Sequence, residues 1–150
     1  MKKLLLASLL LSTLTGAGAA ETWGSLTLTS YHVNPSQKFN QRNYGAGLEI
    51  HPDSTEYVGM FGAYRNSVER TSAYALAGWT PITFGIVKIG ITGGLITGYP
   101  GLNNGHVAPA AGGLIRIEGK TVGANIMIIP PGIKEDKSPL TFGLQIKYKF

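Results

Sequence analysis

The groups in this chain able to move a proton or attack an ester are three histidines, a handful of serines near loops, and scattered carboxylates. His32 ends an alternating segment, 23–33, and Ser67 follows Asn66 in the short polar connection 66–70. A base and a hydroxyl carried to one rim by two strand ends form a proton-transfer pair if they come within about 2.6–3.2 Å. The plainer alternative is a rim histidine and a turn serine in solvent. His51, before Pro52 in a turn, and His106, beside a Gly/Asn loop, read as solvated. The acids Glu49, Asp53, Glu56, Glu69, Glu118, Glu135 and Asp136 fall mostly in turns, and the histidines lack ligand spacing, so no metal centre is expected. The absence of cysteine removes thiol nucleophiles, thiolate metal sites and disulfides. Glycines recur at strand spacing rather than between a strand and a helix, which argues against a phosphate-cradling loop.

The elements that must position these groups are strands. Eight segments of about ten residues alternate in side-chain character: 23–33, 44–50, 57–65, 71–80, 84–97, 107–118, 121–129 and 140–150. Connections 34–43, 66–70, 98–106 and 130–139 are mostly long and polar, whereas 51–56, 81–83 and 119–120 are short. In segment 23–33, strict alternation sets Trp23, Ser25, Thr27, Thr29, Tyr31 and Val33 on one face, with Gly24, Leu26, Leu28, Ser30 and His32 on the other. The hairpin 61–79 has polar groups, Asn66 and Ser67, at one end and a missing side chain, Gly78, beside Trp79 at the other. The final strand sets Phe142, Leu144, Ile146, Tyr148 and Phe150 opposite Gly143, Gln145, Lys147 and Lys149.

The chain has 150 residues, enough for one domain. Residues 1–20 read as a signal peptide: Lys2 and Lys3, an apolar run from Leu4 to Leu14, and a small-residue site at Ala17-Gly18-Ala19. The expected mature domain, 21–150, keeps a formal charge of +3 once Lys2 and Lys3 are taken from the total of +5. That excess makes no case for nucleic acid. No later stretch approaches the ~18 apolar residues of a membrane helix. With only 14% charged residues and 21 glycines, an exported chain of alternating strands predicts an all-β fold: an eight-stranded antiparallel transmembrane β-barrel. A soluble up-and-down barrel is the alternative.

Pro109 and Pro130 fall near the same end of neighbouring strands. Lacking an N–H, two prolines at one height leave a weakly bonded gap through which a lipid chain can pass sideways; alternatively, both simply end strands.

Laid end to end, these motifs resemble the PagP family of lipid A palmitoyltransferases. TSYHVNPSQKFNQRNYGAGLEI is similar to that family's first strand, loop and second strand, YRNSVERTSAYALAGW to the end of its third strand and its fourth, VAPAAGG and IMIIPPG to its proline-bearing strands, and LQIKYKF to its last. The resemblance places the family's catalytic histidine on His32, its serine on Ser67, and its catalytic aspartate on Asn66. It places the glycine flooring the acyl pocket on Gly78, and the lateral lipid entrance between Pro109 and Pro130. It implies a monomeric outer-membrane protein that needs no cofactor and takes phospholipid and lipid A as partners, moving a palmitate-like chain between them. Loop cations Lys38, Arg42, Arg65 and Arg70 would meet lipid A phosphates. The chain departs from the family in lacking its N-terminal amphipathic helix, in carrying Thr27 and Asn43 where the prolines of a second gap would stand, and at Asn66 itself. An amide there holds no charge, so a barrel that binds lipid or modulates the surface without turnover is the second expectation.

Overall fold

The computed structural model describes residues 20–52, 56–132 and 138–150. The expected signal peptide lies outside the described residues but for Ala20, and so do Asp53, Glu135 and Asp136. Eight antiparallel strands close into a barrel in sequence order: β1 (Glu21–His32), β2 (Arg42–His51), β3 (Tyr57–Arg65), β4 (Thr71–Phe84), β5 (Val87–Ile96), β6 (Ala108–Glu118), β7 (Val122–Ile129) and β8 (Thr141–Lys149). The β1–β8 ladder, from Trp23↔Lys149 to His32↔Thr141, removes the open edge. The long connections gather at the end carrying His32, here called the outer end.

Two boundaries differ from the sequence reading. The turn expected at 81–83 lies inside β4: Ile82, Thr83 and Phe84 pair with Ile89, Lys88 and Val87. The reversal falls at Gly85-Ile86, where Gly85 takes a left-handed φ of 59°. Pro81 is accommodated because the ladder shifts register between Trp79 and Ile82. The connection from β6 to β7 covers three residues rather than two, closed by Gly119 N–H donating to Val122 O at 3.0 Å.

The larger correction is in β1. Register shifts between Thr27 and Thr29 against both neighbouring strands, and Leu28 is the extra residue opposite β8. Side chains therefore change phase: Trp23 and Ser25 point inward before the bulge, Ser30 and His32 after it. Strict alternation had grouped His32 with Leu26, yet Leu26 is 51% exposed and His32 4%. Bulges re-aim side chains in this way. The spacing of Leu26 and Tyr31, both large and outward, is odd, which an unbroken strand does not allow.

The barrel is apolar outside and polar inside, the reverse of a soluble domain. Leu26, Leu48, Phe61, Ile91, Leu95 and Ile146 face outward across its middle. Tyr31 and Tyr44 lie toward the outer end, and Tyr57, Trp79, Phe84 and Tyr148 toward the other, as two aromatic bands. The lumen is layered, and β4 gives the order: Tyr74 and Leu76 line an outer cavity, Gly78 faces an apolar plug, and Thr80 reaches an ionic cluster. Tyr74 extends across the lumen because Gly47 and Gly62 leave room for its hydroxyl; a Cβ at either would collide with it.

Candidate functional site at the outer rim

His32 and Ser67 meet at the outer rim. The β1 bulge turns the imidazole inward, and the 66–70 connection carries Ser67 across from β3. The His32 Nε2 to Ser67 Oγ distance is 3.0 Å, within hydrogen-bond reach. Two loops fix the pair: Asn40 N–H donates to Ser67 O at 2.8 Å, and Asn40 Nδ2 to Asn66 O at 3.1 Å. Phe39 from the same loop stacks on the imidazole, with centroids 4.5 Å apart and planes 9° from parallel. A charged imidazolium on that face would gain cation–π attraction of about 0.5–2 kcal/mol.

Behind Ser67 lies a polar relay that sequence reasoning missed. Ser30 Oγ is 3.5 Å from Ser67 Oγ and donates to Asn43 Oδ1 at 2.6 Å, while Asn43 Nδ2 donates to the Arg65 carbonyl at 2.9 Å. Tyr99 from the β5–β6 connection bonds Tyr64 through its hydroxyl at 2.8 Å and also approaches Ser67. Burial pushes the Tyr99 phenol above its ordinary range, so it stays protonated. Phe39, Ser30, Asn43 and Tyr99 are scattered through four segments, and no spacing marks them.

Asn66 is near this pair but does not serve it. It is fully buried, and its Nδ2 donates to Gly98 O at 2.8 Å and to Ser72 Oγ at 2.9 Å. Its Oδ1 accepts from the N–H groups of Val68 at 3.0 Å and Arg70 at 2.9 Å. The side chain closes its own turn and ties that turn to the β5–β6 connection. None of these bonds reaches His32, so the catalytic place that the resemblance gives Asn66 has no counterpart in them.

Below the pair, a cavity of about 110 Å³ is lined by Tyr64, Tyr74, Leu76, Ile96, Met127 and Leu144, with Ser67 at its mouth. It continues outward into a groove of about 180 Å³ that His32, Phe39 and Tyr99 border. Gly78 does not line the cavity. A Cβ there would sit 2.7 Å from Val58 Cγ1 and 2.8 Å from Leu114 Cδ2, so the plug already fills the space above it. The floor is formed by Tyr74, Leu76 and Met127, one inward position short of Gly78 on β4.

The cavity wall is incomplete on one side. The β6–β7 ladder runs only from Gly113↔Ile128 to Glu118↔Gly123, leaving Ala108 to Gly112 without partners on β7. Ala110 and Ala111 of this stretch, with Ile129 at the end of β7, border the cavity. Pro109 lies within it and Pro130 directly follows β7, so the two prolines flank the unpaired stretch. The seam between β1 and β2 is shut instead: Thr29 pairs with Arg42, and Ser30 N–H and Thr29 Oγ1 both donate to Gln41 O, at 3.1 and 2.7 Å.

At the opposite end, sequence reasoning misplaced His51. Read as solvated, it is buried, as are Glu49 and Arg116, and Glu118 turns into the same lumen cluster. Lys147 Nζ donates to Glu49 at 2.8 Å and Glu118 at 2.7 Å; Arg116 binds Glu118, Thr80 and His51 Nδ1; Lys88 binds Glu118 at 2.7 Å. Glu49, His51 and Glu118 have ligand atoms within 4.8 Å of one another. The Lys147 ammonium already bridges both carboxylates and Arg116 donates to the imidazole, so the cluster suits internal ion pairing rather than a metal. No protein-family model matches the chain, and no curated protein matches it.

Proposed function

We propose that this chain is an outer-membrane acyltransferase of the PagP type, moving an acyl chain from a phospholipid ester to a hydroxyl of lipid A. One observation carries the reading: a histidine–serine pair, its imidazole buried, stands at the mouth of an apolar cavity that borders an unpaired stretch of barrel wall. The apolar exterior and its two aromatic bands support a place in a bilayer, where strands of this length can span and the outward side chains meet lipid. A donor lipid would enter between β6 and β7, lay its chain in the cavity, and present its ester near His32. His32 would act as the base. Lys38, Arg42, Arg65 and Arg70, in or beside the outer loops, would attract the phosphates of lipid A.

Refolded barrel in mixed micelles of acyl-labelled phospholipid and lipid A should transfer label, and His32→Ala should reduce the rate at least a hundredfold. Absence of transfer by the unaltered chain would overturn the proposal. The second reading, a barrel that holds lipid without turnover, is favoured by Asn66, whose amide is wholly taken up by turn and loop bonds. It expects labelled phospholipid to bind in the cavity and remain intact.

A further inference from the structure

The hydrogen bonds around His32 have a direction, and Asn43 sets it. The Arg65 carbonyl can only accept, so the Asn43 atom 2.9 Å from it is the amide nitrogen, and the amide oxygen faces Ser30. Ser30 must then donate its single proton to Asn43, at 2.6 Å. Only lone pairs remain on Ser30 Oγ to face Ser67. The Ser67 proton therefore has acceptors away from the imidazole, in Ser30 and in the Tyr99 hydroxyl. At 3.5 Å the link from Ser30 is long, and the other side of the ring reinforces the direction it sets. His32 Nδ1 is buried and, among the described residues, has no hydrogen-bond partner. Were Ser67 to donate to Nε2, the neutral ring would carry its proton on Nδ1, a buried N–H without an acceptor. The reverse arrangement, with Nε2–H donating to Ser67, leaves only an unshared lone pair at Nδ1, the lesser cost.

We infer that His32 rests as the Nε2–H tautomer and offers Nδ1 as its base, with Ser67, Ser30 and Asn43 as the residues that fix the tautomer. This rests on the acyl-transfer reading for its chemistry but not for its structure. In the transfer step, Nδ1 takes the proton of the acceptor hydroxyl as that oxygen bonds to the ester carbonyl carbon. When the tetrahedral adduct collapses, the bond to the leaving alcohol breaks and that oxygen takes the proton back from Nδ1. One ester is exchanged for another, and the imidazole ends neutral. Ser67 forms no covalent bond; it accepts from Nε2–H throughout, and Phe39 lies against the charged ring. The carboxylate that would usually hold a histidine in one tautomer is thus replaced by a chain of neutral groups ending on a backbone carbonyl.

Nitrogen NMR of refolded barrel labelled with ¹⁵N-histidine reads the tautomer without substrate, the His32 signals being those absent from His32→Ala. At neutral pH, Nε2 should appear protonated and Nδ1 bare. A protonated Nδ1, or averaging between the two forms, overturns the inference even if the enzyme transfers acyl chains; the expected pattern in a barrel without transfer leaves it standing while the functional reading fails. Asn43→Asp, which still accepts from Ser30, should keep the Nε2–H pattern. Asn43→Leu should give averaged signals and, where transfer is present, a loss of tenfold or more. An unchanged pattern in Asn43→Leu removes Asn43 from the relay. If that variant does not refold, Ser30→Ala breaks the relay one step nearer and is read the same way.

Discussion

Asn66 is the residue where resemblance and geometry part most clearly. By position it stands for an acid, but by its bonds it is a turn-forming amide that needs its NH₂ group. An aspartate could keep the bonds from Val68 and Arg70, but its carboxylate would face the Gly98 carbonyl, and a buried acceptor would lose its donor. Asn66→Asp should therefore destabilise the barrel by about 1–3 kcal/mol and bring no gain in transfer. Denaturant unfolding of the refolded protein, run beside the transfer assay, checks both. A tenfold rise in transfer at unchanged stability would show instead that the position calls for an acid. At this scale the sequence was only half legible. His32 and Ser67 could be paired because both stand at strand ends on one rim. Phe39, Ser30 and Asn43 could not, since a ring stack depends on how the loop before β2 folds over the rim, and a hydroxyl relay on how β1 and β2 meet beyond the bulge.

Among the elements, β1 shows how much depends on one inserted residue. The strand count, the sequential pairing and the alternation of long and short connections follow from side-chain period and turn chemistry, and were readable from residues alone. The bulge was hidden by Leu26 and Leu28, which fit an unbroken strand. Deleting Leu28 should make the pairing with β8 regular, since Thr29 already opposes Leu144 next to Gln145, and leave Ser30 and His32 facing the lumen. The expected result is a folded, heat-modifiable barrel that keeps transfer. Loss of transfer in a folded barrel would mean that Leu28 itself, or the shift on the β2 side where two residues intervene between Gly45 and Arg42, is needed to aim the imidazole. The β6–β7 seam was legible in a weaker sense. Two prolines suggested a gap, but only the ladder shows that pairing stops at Gly113 and that the cavity reaches the stretch beyond it.

Taken as a whole, the molecule is a lumen divided among a cavity, an apolar plug and an ionic cluster, and this division sets the length of chain it would hold. From Thr141 to Gln145 the cavity wall runs four residues along β8, about 13 Å at ~3.3 Å per residue, or about 10 Å along a tilted barrel axis. One leaflet of a bilayer, the reach of a membrane acyl chain, is about 15 Å. Leu76→Ala should lower the floor and lengthen the preferred chain. Gly78→Met should leave that preference unchanged and cost about 1–3 kcal/mol by crowding Val58 and Leu114. Transfer from donors of graded chain length, with unfolding of both variants, tests the pair; a shortened preference in Gly78→Met would return the floor to Gly78. The ionic cluster has a consequence of another kind. Its partners come from β2, β4, β5, β6 and β8, and Lys147 meets Glu49 from 98 residues away. The half β1–β4 holds Glu49 without Lys147, and the half β5–β8 holds more cations than Glu118 can pair. A partly zipped barrel entering hydrocarbon would carry bare ammonium and carboxylate groups with it, at several kcal/mol each. In a bilayer, insertion and closure would then be a single event, and the cluster that looks like a static seal would be the latch that makes assembly all-or-none.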